Sequence, residues 1–388
     1  MPEITNKPLE HFLFPWREGN RFDLLVDGIE YFPRMLQAIR QAREQILLEM
    51  YLFESGHIAN QFIEALLDAA ERDVAVYIIL DDFGCRGLSH YDRNRLIHTN
   101  IEVRYYNPLR LRRFLHYFMR DHRKILITDN RIAYTGGAGL TDEFLPPDEP
   151  ARQWHDCMIE IRGPNVADWS HLFMDIWQTC NHGIVADIPA AETVPDADVQ
   201  GRVVRSNGLI SREILHSLIK RIRTAEHRVW FALAYFVPSW KLRRSLRYAA
   251  RQGVDVRLVL PGRLTDHPAV RLASHRYFAE LLDRGIRIFE YQPRVLHSKV
   301  LLCDQWCSIG SSNLDRWNLR WNLEANQEVD DQDFAHVVEN MFEIDFEQCK
   351  EIKPETWHHR PWHKRLREHF WGMIDSRFIN RIRRRFRQ

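Results

Sequence analysis

The sequence predicts an α/β layer fold built twice. Three observations carry this. Apolar strands alternate with amphipathic helices. The same order of elements returns after the midpoint. Matching points in the two runs (Val74 with Val254, Ile101 with Ile286, Lys124 with Lys299) lie 180, 185 and 175 residues apart. An offset constant to about ten residues is what a duplication with loop insertions leaves behind. Strands alternating with helices imply right-handed crossovers within each half.

The first run begins near Phe22. Residues 31–44 read as a helix with Phe32, Leu36 and Ile39 on one face, and 46–53 as a strand. Residues 58–72 form a second helix, on Ile63, Leu67 and Ala70. Residues 74–80 are nearly all apolar, as in a parallel strand covered on both faces. Strands follow at 101–106 and, beyond a basic segment, at 124–128. The second run repeats this with helix 211–225, strand 229–236, helix 240–252, strand 254–260, helix 270–284, and strands 286–289 and 299–303. Between the runs, IPAAETVPDAD (188–198) breaks periodicity with proline, alanine and acids. The expected division is a first half at 1–187, a linker at 188–198, a second half at 199–350 and a tail at 351–388.

Composition narrows the class. The 388 residues are 45% apolar and 28% charged, which excludes a disordered, collagenous or mucin-like chain. The longest purely apolar run, 229–237, has nine residues. A bilayer span needs about 20, so none is expected. Residues 1–14 show no secretory signal. Six scattered cysteines without a CxxC read as free thiols in a reducing compartment. Net charge is +1, but the 38 residues from Glu351 hold 11 Lys/Arg against 4 Asp/Glu. The body is therefore net −6 and the tail +7. In that tail Ile374, Phe378, Ile382 and Phe386 fall on one helical face among Arg377, Arg381 and Arg384. Such a helix suits an anionic membrane surface. A helix docked on the body, with its arginines in solvent, is the competing reading, and nucleic-acid contact is a third. Four histidines between 358 and 369 read as tail surface.

One reactive pattern occurs twice. The first copy is His122, Lys124 and Asp129 in DHRKILITD, and the second is His297, Lys299 and Asp304 in LHSKVLLCD. Each is followed by a small-residue turn, TGGAG at 135–139 and IGSSN at 309–313. His and Lys two apart leave a strand on the same face and can address one ligand. An imidazole can attack or shuttle a proton near neutral pH. A lysine meets the charge that develops on phosphoryl oxygens. Each aspartate lies past its strand end, where it can orient or charge-balance a His or Lys. Two facing clusters make a phosphodiester site that calls for no cofactor or metal: the tight multi-ligand spacing of zinc and the carboxylate cluster of a metal-dependent phosphoryl site are both missing.

The duplicated HxKxxxxD pattern, with HRKILITDNRIAYTGG, HSKVLLCD and GSSNLDRWNLRWNLEAN (310–326), resembles the phospholipase D superfamily over about 22–348. Within it the chain is most similar to bacterial cardiolipin synthases that lack transmembrane segments. The resemblance implies two mixed β-sheet layers flanked by helices, with the active site at a pseudo-twofold interface. It implies His122 as the nucleophile that forms a phosphohistidine and His297 as the acid/base. Lys124, Lys299 and Asn313 would contact the phosphate, and Ser311 and Arg120 are further candidates for binding substrate. Glu324 would orient a histidine across the cleft, and Asp156 holds the comparable place in the first half. The chain departs from the family in having Gly139 where Asn is usual. It also has five residues between Asp304 and Gly310 against six between Asp129 and Gly136, for which a small loop adjustment is expected.

Three further groups flank the motifs. RLRRFLHYFMRDHR (110–123) mixes aromatics with arginines and suits a lipid headgroup, single-stranded nucleic acid or plain helix packing. Trp306, Trp317 and Trp321 read mainly as packing, with a lipid-facing role open to one of them. Glu49 and Tyr51 stand where the second half has Ala232 and Ala234. The expected activity is transfer of a phosphatidyl group to phosphatidylglycerol, releasing a small alcohol, at the cytoplasmic face of the inner membrane. No nucleic-acid partner is expected. A lipid hydrolase releasing phosphatidic acid, a nuclease and a membrane-binding scaffold are the alternatives. The acidic body argues against the nuclease, and the four intact His and Lys residues against the scaffold.

Overall fold

The computed structural model describes residues 12–360, apart from 109–118, 147, 150–151, 181–193, 196, 208–210 and 316–320. The first half runs β1 (Arg17–Val26), α1 (Gly28–Gln41), β2 (Gln45–Met50), α2 (His57–Glu71), β3 (Ala75–Asp81), α3 (His90–Arg95), β4 (Ile101–Tyr106), β5 (Lys124–Thr128), β6 (Ile132–Gly136), β7 (Cys157–Arg162) and α4 (Asn165–Cys180). The second runs β8 (Val199–Asn207), β9 (Ser211–Arg212), α5 (Glu213–Thr224), β10 (Arg228–Leu233), α6 (Trp240–Arg251), β11 (Asp255–Pro261), α7 (Pro268–His275), α8 (Phe278–Leu282), β12 (Arg287–Tyr291), β13 (Lys299–Cys303), β14 (Trp306–Gly310), β15 (Leu323–Asp330), α9 (Gln332–Glu347), β16 (Cys349–Ile352) and α10 (Pro354–His358).

Each half carries one mixed sheet. In the first, β2, β3 and β4 are parallel, and β5, β6, β7 and β1 follow as antiparallel neighbours on the other side of β2. The second repeats this with β10, β11 and β12 parallel and β13, β14, β15 and β8 antiparallel. The sheets join edge to edge where β1 pairs with β8. One core lies between the sheets, where Ile125, Ile127, Ile159 and Ile161 meet Val300, Leu302, Cys307 and Val329, closed by Trp169 and Trp177 of α4 and Phe342 of α9. Two outer cores hold α1 and α2 against the first sheet, and α5 to α8 against the second. The helices start where short polar caps allow it: Ser239 Oγ accepts from Leu242 N at 3.2 Å, and Asp331 Oδ1 from Phe334 N at 2.7 Å.

Two expectations change, and one is met. The single helix expected over 270–284 breaks at Arg276–Tyr277, where His275 and Phe278 both turn onto the Trp357 ring. Residues 351–358, assigned by sequence to the tail, extend the second half instead. They complete β16 on β12 and form α10, whose Trp357 is buried in the outer core. The one-residue difference between the motifs sits in a hairpin tip. Thr128 pairs with Ile132 across three residues, and Cys303 with Trp306 across two, so both strands regain the same register beyond the tip. The tail residues Arg377, Phe378, Arg381, Ile382, Arg384 and Phe386 lie outside the described residues, as do 110–118 and Trp317. Trp306 and Trp321 are buried. All six cysteines are unpaired.

Candidate active site

Both histidines sit two residues ahead of a buried strand and are stitched by backbone to the opposite half. His122 N–H donates to Leu323 O (3.0 Å), and Leu323 N–H to Arg120 O (2.9 Å). The second copy repeats the stitch. His297 N–H donates to His155 O, and His155 N–H to Val295 O, both at 2.8 Å. The residue after each crossing strand's anchor is an acid, Glu324 after Leu323 and Asp156 after His155. The side chains therefore pair crosswise. His122 Nδ1 lies 3.1 Å from the Glu324 carboxylate, and His297 Nδ1 lies 2.6 Å from Asp156 Oδ2. A carboxylate at Nδ1 fixes the tautomer and leaves Nε2 to do chemistry.

Four basic groups crowd this site. Lys124 Nζ donates to His122 O at 2.6 Å and lies over the Tyr51 ring at 5.0 Å. Lys299 Nζ lies 3.0 Å from His297 Nδ1 and 4.0 Å from Asp156. Burial pushes Lys124 down to about 7, with Lys299 opposing its charge and Glu324 and Asp156 favouring it. Burial, then Lys299, pushes His297 down to about 4. Burial also lowers His122, on which Lys124 and Lys299 both weigh, and lowers Lys299. The backbone stitches and the crossed carboxylates bring the two clusters together across the halves. A phosphodiester held among them raises all four groups, because an anion favours each protonated form.

The small-residue turns close the site from behind. Gly137 N–H donates to Cys157 O and Ser311 N–H to Ala325 O, so the turns correspond. In the second, Ser311 O lies 3.2 Å from His122 Nδ1, and Ser311 Oγ donates to Glu324 Oε2 at 2.5 Å. Asn313 is fully buried, and neither atom of its amide has a hydrogen-bond partner among the described residues. A buried amide in that condition fits a phosphoryl oxygen. The first turn has no room for such a residue. A Cβ at Gly137 would lie 2.4 Å from the Asp156 carboxylate, and one at Gly139 2.7 Å from Leu52 O.

The two motif aspartates do not orient the histidines or lysines. Asp129 sits at the far end of β5, about 16 Å from the His–Lys end at strand rise. Its carboxylate accepts from the N–H groups of Arg43, Glu44 and Gln45. Asp304 does the same for Glu226, His227 and Arg228. Both have positive φ (52° and 51°), and each ties its hairpin tip to the start of the neighbouring strand. They are fold residues. Glu49 also turns away, pairing at 2.7 Å with Arg123, which lies between His122 and Lys124 and so faces the opposite side of the strand. Tyr51 does reach the site, its ring 4.6 Å from that of His122. Arg120 is buried beside it, 3.3 Å from Asp81 and over the Phe83 ring at 5.9 Å.

Sequence reasoning missed the residues that wall in His297. Phe144 and Trp154 pack on it at 5.5 and 5.3 Å from the first half, and Tyr235 at 6.3 Å from the second. It also missed His155, held between Asp27 (2.9 Å) and Asp345 (3.1 Å) and raised to about 10, the two carboxylates outweighing its burial. Only the short HDC step at 155–157, next to Asp156, marks that spot in the sequence.

A family model described as cardiolipin synthase, PLD-like domain, matches residues 35–177 and 218–346. Cardiolipin synthase B of Shigella flexneri is 33% identical over 362 residues, spanning 89% of this chain and 86% of that protein. Cardiolipin synthase A of Pseudomonas aeruginosa is 34% identical over 348 residues, spanning 88% and 70%. The phosphatidylserine synthase of Haemophilus influenzae Rd KW20 superposes with a TM-score of 0.68 over 92% of this chain and 94% of that one, at 12% identity. That likeness is one of fold.

Proposed function

The chain belongs to the cardiolipin synthase family of phospholipase D-like proteins, and on that premise we propose that it transfers a phosphatidyl group between two phosphatidylglycerol molecules. His122 Nε2 attacks phosphorus. A P–N bond forms, the bond to the glycerol oxygen breaks, and His297 gives that oxygen its proton. The hydroxyl of a second phosphatidylglycerol then gives its proton to His297 and attacks the phosphohistidine. A new P–O bond forms and the P–N bond breaks. The products are cardiolipin and glycerol, and both histidines end as they began.

Lys124, Lys299 and Asn313 hold the non-bridging oxygens. The charge that gathers there in each transition state is where fixed donors act most strongly. Arg120 adds positive charge behind His122, and Ser311 steadies Glu324. The observation that carries this reading is the crossed pairing of each histidine Nδ1 with a carboxylate of the other half. It leaves the Nε2 of each ring for chemistry, one to attack and one to shuttle a proton, with Lys299 Nζ 3.4 Å from that of His297. No described helix is long and apolar enough to cross a membrane. We place the enzyme peripherally on anionic lipid, at the cytoplasmic face of the inner membrane, with the basic aromatic tail at the surface.

The test is product analysis by mass spectrometry after mixing the purified chain with phosphatidylglycerol vesicles. Cardiolipin with glycerol is expected. Phosphatidic acid alone means hydrolysis, and cleaved DNA beside untouched lipid overturns the lipid reading.

A further inference from the structure

The two histidines have differently built neighbourhoods. Beside His122 stands the Tyr51 ring at 4.6 Å, and the nearby Arg120 is paired with Asp81. Beside His297 the first half supplies the Phe144 and Trp154 rings, and the second half supplies a hydroxyl and a carboxylate. The Tyr235 ring stands edge-on to the His297 ring at 6.3 Å, and its hydroxyl donates to Asp266. Thr265 Oγ1 donates to Asp266 Oδ1 at 3.3 Å. The His267 ring lies 5.3 Å from Tyr235, toward solvent. The Asp266 carboxylate is close enough to favour the protonated forms of both His297 and Lys299. Its side chain is 15% exposed, so it is reachable from outside.

Strand register shows that Tyr235 has no tyrosine counterpart at its position in the first half. Met50 pairs with Lys124, and Leu233 with Lys299. Tyr235 therefore corresponds to Leu52, which offers no polar atom beyond its backbone.

We infer that Tyr235 and Asp266 form a polyol subsite next to His297, which holds the glycerol headgroup through the hydroxyls that do not react, two in the departing glycerol and one in the attacking phosphatidylglycerol. The inference rests on the transfer reading above. In that reaction the leaving alcohol and the attacking alcohol both exchange a proton with His297, and both carry a glycerol headgroup. One subsite serves both in turn. A carboxylate accepts from one hydroxyl, and a phenol can donate to or accept from its neighbour. Water makes only one such set of contacts and carries no second hydroxyl to anchor it. The subsite thereby favours transfer over hydrolysis.

The test uses the full chain on phosphatidylglycerol vesicles with isotope-labelled glycerol or labelled ethanol at equal concentration. It reads label incorporated into phospholipid. Wild type should incorporate glycerol at least about tenfold faster than ethanol, as expected when a hydrogen bond to a charged group distinguishes two ligands. In Tyr235→Phe and Asp266→Asn that ratio should collapse toward one. The ratio carries its own control, because damage to the fold or to phosphohistidine formation lowers both alcohols together. A wild type without preference, or variants that keep the wild-type ratio, overturns the subsite. If wild type takes up glycerol with preference yet forms no cardiolipin, the subsite stands and the cardiolipin reading falls. If it takes up neither alcohol, both fall.

Discussion

Around His122 the protein provides Glu324, the Ser311 hydroxyl and carbonyl, and the free amide of Asn313 on a roomy turn. Around His297 it provides the shorter Asp156, two glycines pressed against neighbouring atoms, and a cage of Phe144, Trp154 and Tyr235. The backbone frame is the same in both: the stitch, the turn and the strand register all repeat. Duplication delivered two equal histidines. An in-line displacement needs unequal ones, since one must bond to phosphorus and the other must only move a proton. The divergence lies in the groups touching the rings, and it is there that the two roles can be told apart.

The largest expected effect tests that division. His122→Ala and His297→Ala should each lower turnover of phosphatidylglycerol by about 10³-fold or more. A phosphodiester with an aryl leaving group needs no proton to depart. It should restore the first half-reaction in His297→Ala, with a burst of aryl alcohol and a trapped phosphohistidine, and not in His122→Ala. Rescue of both, or of His122→Ala alone, reverses the assignment.

A second comparison concerns the turns. Asn313→Ala removes a donor aimed at the phosphoryl oxygens and should cost about 10²-fold in kcat with little change in stability. Gly139→Asn, which makes the halves alike, should do the opposite kind of harm. Its Cβ would meet Leu52 O at 2.7 Å, so the chain should lose about 1–3 kcal/mol in urea unfolding. If Gly139→Asn is as stable as wild type, the steric account of the asymmetry is wrong.

A third comparison is electrostatic and milder. Lys124 is held down at about 7, against an ordinary 10.5. An anion favours its charged form, so binding takes up a proton wherever the free lysine is neutral. Affinity for sulfate, which does not itself titrate in this range, should be greatest below pH 7. It should then fall as pH rises, by at most tenfold per unit per proton taken up. Calorimetry in buffers of different ionisation enthalpy reads the proton directly. An affinity flat from pH 6.5 to 9 would break the argument.

The smallest effect is on stability. Where the second half has Leu323, the first has His155, raised to about 10 by Asp27 and Asp345 against an ordinary 6.5. A raised folded-state value contributes stability that is complete below 6.5 and is lost as pH climbs toward 10. Wild type should therefore show a falling Tm over that window, and His155→Gln a flatter one. Parallel slopes would mean that His155 is not held charged.

Much of this was legible in the sequence, because repetition amplifies a weak signal. One HxKxxxxD is commonplace, whereas two at a constant offset locate the site, and apolar runs such as 74–80 and 254–260 fixed the parallel strands. Asp156 and Glu324 were readable only through family resemblance, since nothing local ties them to a histidine some 140 or 200 residues away. The place of Asp129 and Asp304 past their strand ends is legible, but their backbone partners at the start of the neighbouring strand, which no motif marks, are not. A five-residue strand carries each of them to the opposite end of the sheet. Tyr235 and Asp266 had no periodic or motif signal at all. They sit on two different loops that meet only after β10 and β11 have paired.

The crossed carboxylates have a consequence for ancestry. Neither half owns a complete histidine: each lends an acid to the other and borrows one back. A single-copy forebear with this chemistry had to work as a head-to-head couple, and fusion made that partnership permanent. A change in one copy's acid is felt first by the other copy's base, as between two parties who each hold the other's key.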